Sequence, residues 1–266
     1  MQFINAQGMI NFPLHHIPER SAKPRQQGLT MAIDKGLSLR QVEDFLEVSS
    51  EFVDIVKLGW GTSVVTPQLK AKLDLYRKHG IPTYFGGTLM EIFYIRGQID
   101  EYRRILEEYE MEYLEISNGS VDIDLKTKCD LISSFAKDFT VLSEVGSKTS
   151  GKIIAPYQWV EMMQRELDAG SWKVIAEARE SGTVGMFHSD GEIRSDLIEE
   201  ILHDISGEKI LWEAPQKSQQ VWFIDLLGSN VNLGNIPPQE TLPLETLRLG
   251  LRGDTFFSFL PEEVKK

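Results

Sequence analysis

The feature that most constrains this chain is a rhythm. From Gly28 onward, short runs of strand-favouring residues alternate with stretches whose apolar residues recur at helical spacing. The strand-like runs are GLTMAID (28–34), VDIVKLGW (53–60), PTYFGGT (82–88), MEYLEISNGS (111–120), TVLSEVGSK (140–148), SWKVIAEARESG (171–182), KILWEAPQKSQQ (209–220) and NVNLGNI (230–236). Helical patterns follow them at 37–51, 67–80, from 88 to about Glu110, then 125–138, 157–169, 195–206, 221–228 and 244–251. Eight strand-then-helix units of about thirty residues predict an α/β chain closed into a (β/α)8 TIM barrel, because parallel strands need crossovers and helices supply them. An open doubly wound sheet shares the alternation, but it usually carries a glycine fingerprint after its first strand, where this chain has Asp34-Lys35-Gly36. No composition shift argues for a second domain. The expected organisation is an N-terminal arm over 1–27, irregular and marked by Pro13, Pro18 and Pro24, followed by one barrel domain over 28–266.

Composition narrows the classes. The 266 residues are 41% hydrophobic and 26% charged, as expected of a folded globular chain. The 28 basic against 40 acidic side chains give a formal charge of −12, which argues against nucleic acid or an anionic membrane as partner. Any anionic ligand must be met by a local cluster of positive charge. A single cysteine, Cys129, excludes a disulfide framework and Cys-rich zinc patterns, and its helical flanks make it a packing residue. No apolar run approaches the ~20 residues of a membrane span, and the N-terminus lacks the pattern of a secretion signal, so the expected location is the cytoplasm.

Polar residues gather where the strand-like runs end. The run TVLSEVGSK is the clearest case, passing from Val141 and Leu142 into Glu144, Gly146 and Lys148. A carboxylate and an ammonium are costly to bury unless they pair or meet a ligand. Alternation places Ser143 and Val145 on one face and Leu142 and Glu144 on the other. Asp34, Lys35, Lys57, Glu115, Asn118, Glu177, Arg179, Glu213 and Asn235 end other runs in the same manner. A barrel brings its strand C-termini to one face, so these residues predict a catalytic mouth. Ion pairing of each glutamate with Lys57, Lys148 or Arg179 is the competing structural reading.

The strings KLGWGTS (57–63), GGTL (86–89), EISNGS (115–120), SEVGSK (143–148), EARESG (177–182), WEAPQKSQQ (212–220), NLGNI (232–236) and LETLRLGLRGDTF (244–256) resemble those of the phosphosulfolactate synthase family. The resemblance runs from Gly28 to Phe256 and leaves out the preceding arm. Plant heat-stress-associated proteins resemble the same family. The resemblance implies magnesium-dependent addition of sulfite to phosphoenolpyruvate, in sulfolactate or coenzyme M biosynthesis, by a barrel that assembles into homo-oligomers. Alternatives are a Schiff-base barrel lyase acting on another phosphorylated enol or keto acid, and a noncatalytic stress-related barrel.

That chemistry asks for specific groups. Addition of sulfite builds a dianionic enediolate, which Mg²⁺ held by carboxylates would stabilise. Glu115, Glu144 and Glu177 end consecutive runs and are the expected metal ligands, with Glu213 behind them. The resemblance places Lys148 as general acid, with Lys57 as its rival. Arg179 offers a bidentate fork for an anion. Lys35, Asn118, Lys217, Gln220, Gly234 and Asn235 are the remaining candidates for holding substrate, the last four by analogy with the phosphate loops of barrels.

Overall fold

A computed structural model of the protein describes residues 3–5, 8–146, 154–178, 185–188 and 192–265. Eight parallel strands form its centre: β1 (Thr30–Asp34), β2 (Ile55–Leu58), β3 (Thr83–Phe85), β4 (Tyr113–Ile116), β5 (Thr140–Val145), β6 (Lys173–Ala176), β7 (Ile210–Glu213) and β8 (Leu233–Ile236). The principal helices are α1 (Leu39–Ser49), α2 (Leu69–Lys78), α3 (Gly87–Tyr94), α4 (Ile99–Glu108), α5 (Leu125–Phe135), α6 (Pro156–Asp168), α7 (Ser195–Asp204), α8 (Lys217–Leu227) and α9 (Thr241–Arg248). The strands hydrogen-bond in the order β3-β2-β1-β8-β7-β6-β5-β4, so the sheet curls into a nearly closed TIM barrel. Its seam lies between β3 and β4. No described helix is long and apolar enough to cross a membrane.

Strand alternation explains the two layers inside the barrel. Met31, Ile55, Tyr84, Leu142, Ile175 and Leu211 pack together in its interior. Two residues further along their own strands stand Ile33, Lys57, Gly86, Glu144, Glu177 and Glu213, so the same inward face carries the polar groups at the C-terminal end. The outward residues pack under the helices; Val145, Val174, Trp212, Leu233 and Ile236, for example, join Trp159, Leu197 and Phe223 in one cluster. Strands covered on both faces read as continuous apolar runs in the sequence.

Local chemistry fixes the helix ends. Ser38 caps α1, its hydroxyl accepting from Gln41 N at 3.3 Å while the Gln41 side chain accepts from Ser38 N at 2.9 Å. Asp124 caps α5 by accepting from Thr127 N at 3.0 Å. Two expectations are corrected. The helical pattern running to Glu110 is two helices, because Gly97 at φ 66° ends α3 and lets α4 start in a new direction. The stretch 209–220 is strand only to Glu213; Gln216 N donates to Gln219 Oε1 at 3.1 Å, so Lys217 and Gln220 fall in the first turn of α8.

The arm is more ordered than its prolines suggested. Phe3–Asn5 pairs antiparallel with Gly8–Ile10. Arg20 is buried beneath the barrel, with Nε 2.9 Å from Glu245 Oε1 and Nη1 donating to Ser229 O at 3.0 Å.

Candidate active site

Lys57 is the hub of the barrel mouth. Its ammonium lies 3.0 Å from Glu115 Oε2, 3.4 Å from Glu213 Oε1 and 3.6 Å from Glu144 Oε2. Burial alone would lower its pKa, but Glu115, Glu213 and Glu144 outweigh that cost and hold the ammonium charged, well above the ordinary lysine value.

Beside Lys57, Glu144, Glu177 and Glu213 each turn one carboxylate oxygen toward the others, all within 4.8 Å of one another, and all three residues are buried. Glu177 comes this close to β5 only because position 146 is glycine: a Cβ there would stand 2.4 Å from Glu177 Cβ, and φ is 141°. Glu213 Oε2 accepts from Ala178 N at 3.0 Å. Burial drives the Glu213 pKa up to about 7, with Glu144 adding to the rise against the pull of Lys57. A carboxylate that resists ionisation marks a site short of positive charge. Three clustered oxygen donors with excess negative charge suit a hard divalent cation such as Mg²⁺.

Glu115 stands apart from this trio. Its Oε1 accepts from Gly87 N at 2.7 Å and its Oε2 faces Lys57, so both oxygens are engaged across the β3–β4 seam. Of the three expected carboxylates, Glu144 and Glu177 stand in this cluster with Glu213 as its third member, and Glu115 stands beside it against Lys57.

The mouth opens into a cavity of about 240 Å³ whose wall includes Lys57, Trp60, Thr88, Ser120, Asn235 and the trio. Of the expected substrate contacts, Asn235 lines this cavity. The others have different occupations. Lys35 is exposed, its ammonium 5.7 Å from the Trp60 ring centroid. Asn118 Nδ2 donates to Ile123 O at 2.9 Å and holds its own loop. The Lys217 ammonium sits on Asp254 at 2.9 Å. Gln220 Nε2 donates to Ala214 O at 3.1 Å. Gly234 packs against Met31 and Leu211 in the barrel interior. Lys148 and Arg179 lie outside the described residues.

Sequence reasoning passed over Trp60, Thr88 and Glu91, and read Ser120 as a turn former. Trp60 and Thr88 lie within the strand-end strings KLGWGTS and GGTL, and their place just after a strand was the available signal. Glu91 gave none, since it sits inside α3; it accepts from Ser117 Oγ at 2.5 Å and from Ser120 N at 3.2 Å, fixing the loop after β4. That bond ties Ser117 into the same loop.

Comparison with known proteins identifies the family. Residues 18–254 match the family model described as (2R)-phospho-3-sulfolactate synthase (ComA), so the likeness begins ahead of Gly28 and takes in Arg20. The chain is 44% identical over 244 residues to the phosphosulfolactate synthase of Methanothermobacter thermautotrophicus, covering 90% of this chain and 95% of that one. It is 42% identical over 252 residues to the phosphosulfolactate synthase of Bacillus subtilis, covering 94% and 100%. A more distant likeness, 22% over 261 residues, links it to the HEAT-STRESS-ASSOCIATED 32 protein of Arabidopsis thaliana, covering 86% and 88%. Among solved structures, 3-hexulose-6-phosphate synthase from Salmonella typhimurium shares the fold, with a TM-score of 0.54, 15% identity, and coverage of 84% of this chain and 100% of that one. A family match across most of the barrel, joined to relatives above 40% identity over nearly their whole length, places the chain: it belongs to the phosphosulfolactate synthase family.

Proposed function

We propose that the protein adds sulfite to phosphoenolpyruvate to give (2R)-2-phospho-3-sulfolactate, using Mg²⁺ held by Glu144, Glu177 and Glu213. The observation that carries this reading is the buried carboxylate trio beside a charged lysine, at the C-terminal mouth of a barrel of this family.

The reaction balances without an oxidant or a leaving group. The sulfur lone pair forms a bond to the methylene carbon, the π pair moves toward the carboxylate as an enediolate, and one proton is collected at the carbon bearing the phosphate. Bound Mg²⁺ supplies Lewis-acid stabilisation for the charge that builds on the carboxylate. The protein's own groups supply the rest. Lys57, fixed by Glu115 and kept protonated, sets a positive charge in the cavity wall where anions enter a chain of net charge −12. Lys148 is the proton donor of this proposal and Arg179 an anion-binding group. The cavity of about 240 Å³ has room for a small acid.

A Schiff base at Lys57 is disfavoured, because imine formation needs a neutral amine and three carboxylates oppose loss of the proton. The test is phosphorus NMR of the purified protein with phosphoenolpyruvate, sulfite and Mg²⁺. A new phosphate-ester resonance that needs all three, and vanishes on chelation, supports the proposal. No product, or product that survives chelation, overturns it.

A further inference from the structure

Asn235 holds a position that strand geometry does not give it freely. Leu233 and Ile236 both pack outward under the helices. Two residues on one face of a regular strand are separated by an even number of steps, whereas here they are separated by three. The ladder shows the same irregularity, since Leu233 pairs with Thr30 and Ile236 with Ala32, three steps on β8 against two on β1. The extra residue is a β-bulge, and Asn235 within it has φ 56°. Gly234, pointing inward with no room for a Cβ beside Met31 Cε, leaves the space above it to the next side chain. The bulge thus turns Asn235 into the barrel, where it lines the cavity.

The side chain that arrives there is anomalous. Asn235 is 5% exposed, and its carboxamide oxygen has no hydrogen-bond partner among the described residues. A buried polar group left unsatisfied costs about 1–3 kcal/mol. A left-handed backbone alone does not account for it, because glycine meets that need without burying an amide. No hydrogen bond to a described residue holds either end of the carboxamide, so a half-turn about its last torsion presents the NH₂ group where the oxygen stands unpartnered, and the strain and the unheld amide together mark a side chain held for a ligand.

Its neighbourhood identifies the class of ligand. Gly234 pairs with Glu213 in the parallel ladder and its carbonyl accepts from Ala214 N at 3.0 Å, so Asn235 stands beside the strand end that carries one member of the carboxylate trio. We propose that the Asn235 carboxamide binds the carboxylate end of a small enol-phosphate acid, its NH₂ group donating to one of the carboxylate oxygens. This rests on the functional reading above and adds a specificity residue to it: a neutral donor that recognises the acid without adding charge to a site already crowded with carboxylates.

The decisive variant is Asn235→Gly, which suits φ 56° and removes only the amide. Calorimetric titration of phosphoenolpyruvate in the presence of Mg²⁺ is the readout, with thermal unfolding alongside. The expected result is unchanged or raised thermal stability with affinity lower by about tenfold or more. Asn235→Asp, nearly the same shape but anionic, is expected to weaken binding further. Wild-type affinity in Asn235→Gly overturns the proposal and reduces Asn235 to a turn residue. If the wild type binds phosphoenolpyruvate yet makes no product with sulfite, the reaction reading fails while the comparison of affinities still decides the role of Asn235. A wild-type chain that does not bind phosphoenolpyruvate overturns both.

Discussion

The Lys57 ammonium and Glu115 Oε2 meet at 3.0 Å from strands β2 and β4, reaching past β3 at the seam where the ladder of the barrel is interrupted. Because Glu115 also accepts from Gly87 N, one carboxylate joins the seam to the lysine that faces the carboxylate trio. Closure of the fold and placement of the positive charge are therefore the same contact.

Replacing Lys57 with methionine leaves Glu115 buried without its counter-charge and removes the cation from between Glu144 and Glu213. Breaking a buried pair from one side costs about 3–5 kcal/mol. Urea unfolding of metal-free Lys57→Met is expected to show a loss of that size, reduced when Glu115→Gln is added. A loss below about 1 kcal/mol contradicts the role of Lys57 as hub.

The pH dependence of metal binding follows from Glu213. Its pKa in the folded, metal-free protein, about 7, lies above the value of about 4.3 for an unfolded glutamate. Between these the folded state holds more protons than the unfolded one, so this group's contribution to stability falls as pH rises through that window. A metal ion must displace the same proton. Mg²⁺ affinity, measured by calorimetry, is then expected to rise by up to about tenfold per pH unit below pH 7 and to level off above it. Glu213→Gln should flatten the profile; a flat profile in the wild type sinks the assignment.

Two alanine substitutions separate close approach from ordinary loop backbone. A Cβ at Gly87 would stand 2.6 Å from Glu115 Oε1 and 2.4 Å from Ser117 Oγ, both fixed by hydrogen bonds, whereas a Cβ at Gly253 meets nothing within 4 Å. Gly87→Ala is expected to destabilise by about 1–3 kcal/mol and to displace Glu115, while Gly253→Ala stays within about 0.5 kcal/mol of wild type. Equal effects would mean that the seam tolerates movement.

Glu144 is also held from behind. Lys128, on α5, donates to the Glu144 carbonyl at 2.6 Å and to Glu166 Oε1 at 2.7 Å, with both side chains buried. Lys128→Met alone is expected to cost about 3–5 kcal/mol, and the double variant Lys128→Met/Glu166→Met much less, since paired apolar replacement removes the stranded charge. Additive losses in thermal unfolding would show the pair to be uncoupled.

Much of this was legible in the chain itself, for identifiable reasons. Leu142 and Glu144, like Ile175 and Glu177 or Leu211 and Glu213, are two residues apart on buried strands, so period-two alternation carried the apolar layer directly into the carboxylates. Three features were hidden. Glu213 displaced Glu115 from the cluster because the seam, a property of closure and not of any one strand, engages Glu115 with Gly87. Lys217 and Gln220 looked like strand-end residues because the capping pair Gln216 and Gln219 resembles loop chemistry in sequence. The bulge that redirects Asn235 depends on its register against β1, which no local pattern encodes.

The central claim is that one divalent ion sits among Glu144, Glu177 and Glu213, and crystals soaked in Mn²⁺ and phosphoenolpyruvate test it most directly. An anomalous peak within about 2.0–2.3 Å of oxygens from all three carboxylates is the expected result. A peak elsewhere in the barrel, or a bound phosphoenolpyruvate with no ion among these residues, would contradict the account.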